Sequence, residues 1–469
     1  MKKKVAAILL CVLMAASLLS GCSKSSGTKD TPGSSDSDKT SESNTSNGEA
    51  KDPGTDTPQA TDQFAGEELS ILVSAGWMDN RYDASIARFE DTYGVTVDLQ
   101  TIPADQYSDV LQVKLTSAST PDIFWIQSDP FAIGSQIVDP EKYCIDFSGA
   151  AWEKKIPETR LQSCRYNGKL YGLQIWHNSP EYVMVYNKTL FEENGWTIPK
   201  TYAELKDLSA KIAVQGITPW FMPGADGWQH QLSFFQIGGA YEEAVPGLYD
   251  ALNNNTATFA GNEKMLEVLN QFKEFSDAGY FGEDWIGTDS TNMSNEFGDR
   301  NVAMAMANSS FIKQIKDDTG TTDEFGLFLI PLGDNNTFPT NPGGPTMFGS
   351  AASKHPDLVK AFFEYCTQTE TLQEILDNSP SYTNLDVNDD QLQQHWLPEE
   401  EEFMATVPKE KMQTGVLQTA TKYTNSYWMD FGADMIAYCQ GTIEANDVLK
   451  NMDTNRAEAA KVAKDTNWN

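Results

Sequence analysis

The sequence predicts an α/β fold. Two observations carry that prediction. Short apolar runs alternate with amphipathic stretches along residues 69–126, and turn-forming residues punctuate the breaks between them. The chain is 40% hydrophobic and 11% aromatic over 469 residues, enough to bury sizeable cores. Leu69–Ser74 is an apolar run that reads as a buried strand. Asp83–Tyr93 places Ile86, Phe89 and Tyr93 on one helical face, with Gly94 as terminator. Val95–Leu99 alternates as a second strand. Tyr107–Thr116 reads as helix and Pro121–Ile126 as a third strand, which completes a β-α-β-α-β order.

Further along, Tyr182–Tyr186 reads as strand. Thr201 and Glu204 have the spacing of a capping box, with Leu205, Leu208 and Ile212 as the apolar stripe of the helix they open. Lys264–Ala278 is an amphipathic helix stopped by Gly279. Val302–Ala307 and Phe325–Ile330 read as strands, Asp357–Cys366 as helix, and the last 80 residues as mainly helical. Glu399–Glu402 reads as a solvated acidic turn. No internal repeat is visible.

Charge narrows the partners. Lys+Arg number 34 against 67 Asp+Glu, a net charge of −33. Such a surface repels phosphate backbones and anionic headgroups, so nucleic acid is excluded and neutral or cationic ligands are favoured. At the N-terminus, Lys2–Lys4 precede an apolar run, Val5–Leu19, broken only by Ser17. It is too short for a membrane span and has the length of a signal-peptide core. It ends in Leu19-Ser20-Gly21-Cys22, which resembles the lipobox of bacterial lipoproteins, in which the cysteine takes the lipid. Residues 1–21 are therefore expected to be a signal peptide, and residues 22–62 a lipid-anchored linker. That linker, rich in Ser, Thr, Asp and Gly, has no aromatic or branched aliphatic side chain to bury. Its random-coil reach is on the order of 35 Å.

Cys144, Cys164, Cys366 and Cys439 remain for the folded part. An oxidising exterior permits a Cys144–Cys164 bridge, and four separate buried thiols fit equally well. No CxxC occurs, and His177, His230, His355 and His395 fall in no metal-ligand spacing, so neither metal nor cofactor is expected. GxSxG, HExxH, GxxxxGK[ST] and GxGxxG are missing from the sequence, and no catalytic residue is assigned. Asp386–Asp390 starts like a calcium loop, but Gln391 occupies the glycine position of the turn and Leu397 the glutamate position.

Aromatic and amide residues collect instead at strand-to-helix breaks, where ligands gather in open α/β sheets. Trp77 follows the first strand and Gln127 follows the third. Trp176 and Asn178 precede the next strand, and Asp226 and Trp228 sit in a Gly-rich break. Indole rings stack on the apolar face of a sugar while Asp, Asn and Gln satisfy its hydroxyl rim. Trp125 and Trp220, inside apolar runs, are assigned to the core or a cavity wall.

Several short stretches occur together in order: Ala87-Arg-Phe89, Ser119-Thr-Pro121-Asp122, Asn167-Gly168-Lys169-Leu-Tyr171-Gly172, Val185-Tyr186-Asn187-Lys188, Pro199 to Leu205 with Gly216 to Pro219, and Gly343-Gly344 before Ala352. From about Leu69 to Asp453 the chain resembles the extracellular solute-binding proteins of ABC sugar importers, the maltose-binding-protein-like family 1. The resemblance implies two α/β lobes joined by a hinge, a periplasmic-binding-protein-like (Venus-flytrap) fold with ligand in the cleft. It implies lobes of 63–178 plus 334–382 and 179–333 plus 383–469, with crossings near Asn178–Tyr182, Pro331–Asn335 and Ser379–Thr383. It adds Ser309 and Trp428 to Trp77, Gln127, Trp176, Asn178, Asp226 and Trp228 as ligand-binding residues. Asn308-Ser309-Ser310 departs from the Gly-Pro-Trp platform of maltose binders. The implied protein is a monomeric, non-enzymatic carrier on the extracellular face of the cell membrane, anchored through Cys22. It hands a carbohydrate to an ABC permease. A lipid-anchored glycoside hydrolase and a carrier of a non-sugar solute are the alternatives.

Overall fold

The computed structural model describes residues 62–468 except 118, 132, 134–136, 138, 380 and 413. The expected signal peptide, Cys22 and nearly all of the linker lie outside the described residues. Among the described residues nine strands build the two main sheets: β1 (Glu68–Ser74), β2 (Thr96–Ile102), β3 (Ile123–Ser128), β4 (Gly172–Leu173), β5 (Val183–Asn187), β6 (Thr218–Phe221), β7 (Val302–Ala307), β8 (Phe325–Phe328) and β9 (Gly344–Gly349). The first sheet runs β2-β1-β3-β9-β4 and the second β8-β5-β7-β6. β1 pairs parallel with β2 and β3, whereas β9 returns antiparallel against β3 and β4.

Period-two burial explains why the strands of the first sheet read as continuous apolar runs. Leu69, Ile71, Val73, Ile123, Trp125 and Met347 enter one core, and Leu72, Phe124, Ile126 and Phe348 enter another on the opposite face. The helices Asp83–Tyr93 and Pro356–Cys366 cover the first face through Phe89, Leu358, Phe362 and Phe363. The helix Ala104–Leu115 covers the second through Tyr107, Leu111 and Leu115. Gly94 ends its helix at φ 66°, the left-handed conformation for which glycine is suited. Gly172 lets β4 approach β9: a Cβ there would lie 2.8 Å from Thr346. The second sheet separates Met184, Tyr186, Trp220 and Met304 from Val183, Val185, Phe221 and Phe325 in the same way. Each sheet thus has its own cores, and the fold is two-lobed.

Four expectations are corrected. No disulfide joins Cys144 to Cys164: both are free and buried. Cys144 belongs to the core on one face of the first sheet and Cys164 to the core on the other, so the sheet separates them. Burial pushes both thiols up to about 12. Iodoacetamide under denaturing, non-reducing conditions will therefore label both, and the native protein at pH 8 will leave both untouched. A Cys144–Cys164 peptide in the digest would contradict the structure.

The second crossing lies later than expected. Ile330 and Leu332 stay in the second lobe's core, Phe338 packs on Phe403, and the Phe338 N–H donates to Lys411 O at 2.9 Å. The chain leaves the second lobe only at residues 341–343. The third crossing is delayed too, because Leu385 and Leu392 pack in the first lobe before Leu397 joins the second. Finally, Glu400 is fully buried and is not part of a solvated turn. It sits in the first turn of the helix Pro398–Thr406.

The capping box at Thr201 forms with a shift. The Thr201 hydroxyl accepts from Glu204 N as expected, but the Glu204 carboxylate accepts from Lys200 N at 2.7 Å, one residue earlier than the motif prescribes.

Candidate functional site

Trp228 follows the break after β6, and Trp428 opens the helix Trp428–Cys439. The fold brings them together across 200 residues of chain: their ring centroids are 6.3 Å apart and tilted by 55°. Tyr182, which sequence reasoning missed, adds a third ring 6.0 Å from Trp228 in edge-on geometry. Its φ of 49° is strained for a tyrosine, and the contacts around the crossing hold it there. All three rings are half-buried, which leaves surface to stack on a ligand. Asp226 lies beside them, its carboxylate accepting from Gln229 Nε2 at 2.9 Å.

From the first lobe, the carboxyl end of β3 approaches the same region. Gln127, at the end of β3, accepts at its carbonyl from Asn425 Nδ2 at 3.2 Å, and the same amide reaches Asp129 Oδ2 at 3.0 Å. Asn425 belongs to the second lobe's side and precedes Trp428, so this contact bridges the lobes next to the aromatic wall. Sequence reading missed Asn425 because nothing local marks it. Trp77 packs edge-on against Tyr107 at 5.2 Å. Among the described residues no ring contact joins it to Trp228 or Trp428.

Trp176 and Asn178 sit on the first crossing. Trp176 packs on Tyr382 at 5.3 Å and its Nε1–H donates to Glu181 Oε1 at 2.9 Å. Asn178 is exposed, and its backbone N–H donates to Asn384 Oδ1. Ser309 departs from its expected role. It is fully buried, its hydroxyl donates to Glu400, and its N–H donates to Pro180 O at 2.9 Å. It fastens the crossing and offers no group to a ligand.

Buried charge collects at the same place. Burial pushes the Glu181 carboxyl above its usual range, against the opposing pull of hydrogen bonds from Asn341 and Trp176 and the charge of Arg160. Burial, with Arg160 and Arg81 nearby, drives His177 down to about 3. His177 is therefore neutral, and its 3.4 Å approach to Glu181 is a contact without ion pairing. A carboxyl raised on folding contributes stability present at low pH and lost as pH rises through its folded value. Calorimetry from pH 4 to 8 should therefore show Glu181→Gln gaining on the wild type as pH rises. A difference that stays constant, or shrinks, would mean that Glu181 titrates normally.

Size alone does not mark the site. A hollow of about 640 Å³ between Trp196 and Val214 is lined only by residues of 194–215 and touches none of the expected residues. Among the described residues no group of three His, Cys, Asp or Glu is placed to hold a metal ion, and no helix is long and apolar enough to cross a membrane.

A match to the family described as bacterial extracellular solute-binding protein spans residues 75–372. The chain belongs to that family. This solute-binding protein is 25% identical over 323 residues to the multiple sugar-binding protein of Streptococcus mutans, covering 63% of this chain and 75% of that one. Its fold is similar to a sugar transporter structure from Bacillus licheniformis in complex with stachyose, with TM-score 0.67, 16% identity and coverage of 83% and 100% of the two chains. It is also similar to RafE in complex with raffinose, with TM-score 0.64, 21% identity and coverage of 83% and 99%. The two-lobed architecture of this solute-binding protein is thus that of its structural relatives.

Proposed function

We propose that this solute-binding protein takes a carbohydrate between its lobes outside the cell and passes it unaltered to an ABC permease. The observation that carries this reading is the cluster of partly buried rings Tyr182, Trp228 and Trp428, close in sequence to Asn425, whose amide reaches the carbonyl of Gln127 at the end of β3. Flat rings suit the C–H face of a sugar, and the amides of Gln127 and Asn178 and the carboxylate of Asp226 suit its hydroxyls. The sugars named for its relatives support the same ligand class.

The open form binds on one lobe. The other closes because it touches ligand only when shut, so differential contact drives the motion. A micromolar site requires about −8 kcal/mol. Aromatic contacts worth about 1 kcal/mol each beyond area burial leave most of that to buried ring area and hydroxyl hydrogen bonds. No covalent step is required. The chain works as a monomer held to the membrane by lipid on Cys22, with residues 22–62 as tether.

The test is a titration of raffinose, stachyose and xylo-oligosaccharides followed by intrinsic Trp fluorescence, with chromatography of the sugars afterwards. Saturable binding of at least one, recovered intact, is expected. Cleavage of the bound sugar would overturn the carrier reading, and silence to every sugar alongside a response to a peptide or polyamine would overturn the ligand class.

A further inference from the structure

The crossings between the lobes are held by two buried charged side chains that sequence analysis did not single out. Arg160 lies on the short helix Glu158–Leu161 of the first lobe and is 5% exposed. Its guanidinium reaches all three crossings. Nη2 donates to His177 O at 2.6 Å on the first. Nη1 donates to Asn341 O at 2.8 Å and Gly343 O at 3.4 Å on the second. Nε donates to Asp386 Oδ2 at 2.8 Å on the third. A planar five-donor fork serves three separate acceptor directions, which a single ammonium on a flexible stem does not.

Glu400 performs the matching task from the second lobe. It is fully buried. Its Oε1 accepts from Thr383 Oγ1 at 2.9 Å, on the third crossing, and from the Ser309 hydroxyl. Its Oε2 accepts from Leu397 N at 2.9 Å. Ser309 in turn donates its N–H to Pro180 O, and the Ser179 and Thr383 hydroxyls share a hydrogen bond of 2.8 Å. The second crossing is tied to the same lobe by backbone: Thr340 N donates to Thr414 O and Val416 N to Thr340 O.

We propose that Arg160 and Glu400 are the positioning residues of the interlobe hinge, each fastening the crossings to its own lobe. Rotation is thereby confined to the short stretches between the two sets of anchors. Those stretches are residues 178–179, between His177 and Pro180, residue 341, just beyond Thr340, and residues 393–396, between Leu392 in the first lobe's core and Leu397, whose N–H donates to Glu400. With every crossing pinned on both sides within a few residues, the lobes move about one axis and do not sway. The inference rests on the two-lobed fold and not on the identity of the ligand.

The test needs no ligand. Val113 and Val214 are exposed at 67% and 86%, one on each lobe, and the native cysteines described here are buried. Spin labels on Val113→Cys and Val214→Cys report the interlobe distance by pulsed electron resonance. Hydrogen exchange on the full chain reports the crossings. Arg160→Lys keeps the charge and loses the fork. It should widen the distance distribution and raise exchange in peptides covering 176–182 and 341–345 at least tenfold, while peptides covering 68–74 and 183–187 exchange as in the wild type. Glu400→Ala should do the same for 179–182 and 308–311. Glu400→Gln, which keeps one oxygen toward Ser309 and Thr383, should restore most of the wild-type protection. Wild-type distances and exchange in Arg160→Lys and Glu400→Ala would overturn the proposal. So would an equal rise in every peptide, since it would make both residues general stabilisers without a role in the hinge. A protein that fails to bind sugars but passes this test would leave the hinge assignment standing and overturn only the carrier reading.

Discussion

Replacing Trp228 or Trp428 by alanine will weaken sugar binding by roughly 30- to 150-fold each, with a smaller loss of stability than a truncation inside the core. Each indole buried against a sugar face contributes about 2–3 kcal/mol from area and stacking together. The rings lie at the edge of the second lobe's core, partly buried, so truncation there costs less stability than truncation inside it. The two effects will not add, because the rings touch and the survivor repacks when its neighbour is lost. Titration of each single variant and of the double variant against the best sugar of the panel measures this directly. Full affinity in both single variants would show that the cleft lies elsewhere.

Trp220→Ala will have the opposite signature, a loss of about 3–5 kcal/mol of stability. Trp220 has no exposed surface and packs edge-on against Phe281 at 5.4 Å and Phe275 at 6.0 Å, in the core of the second lobe. Trp220→Phe keeps most of the ring area in the core and should cost far less than alanine. Urea unfolding monitored by circular dichroism decides: an alanine variant with the wild-type midpoint would mean that this core tolerates the cavity. The contrast between Trp220 on one side and Trp228 and Trp428 on the other separates indoles that build the lobe from indoles that face the ligand.

Much of the fold was legible locally. The helix Asp83–Tyr93 and the strand Val302–Ala307 were placed to the residue, because a 3.6-residue stripe ending in glycine and a short bounded apolar run are read from neighbours alone. The assignment of Trp125 and Trp220 to the interior followed from the same flanking runs. The site was legible in part. Trp228 and Trp428 are brought together, but Ser309 faces inward, and Tyr182 and Asn425 carried no local signal.

The amino-acid order by itself determined which segments are strands and helices, which face of each is apolar, and that rings and amides crowd the strand ends. Those properties depend on periodicity over a few residues. Only the tertiary structure decided which charges are inside. Arg160 meets acceptors 181 and 226 residues away, and Glu400 meets a hydroxyl 91 residues away. One glutamate in an acidic run is buried while the next two stay in water, because two hydroxyls and an N–H converge on it alone. The same holds for the thiols. Two cysteines twenty residues apart are kept from each other by a sheet whose central strands come from both ends of the lobe's sequence. Burial of a polar group is a property of what surrounds it in space, and that is set by the packing of distant segments.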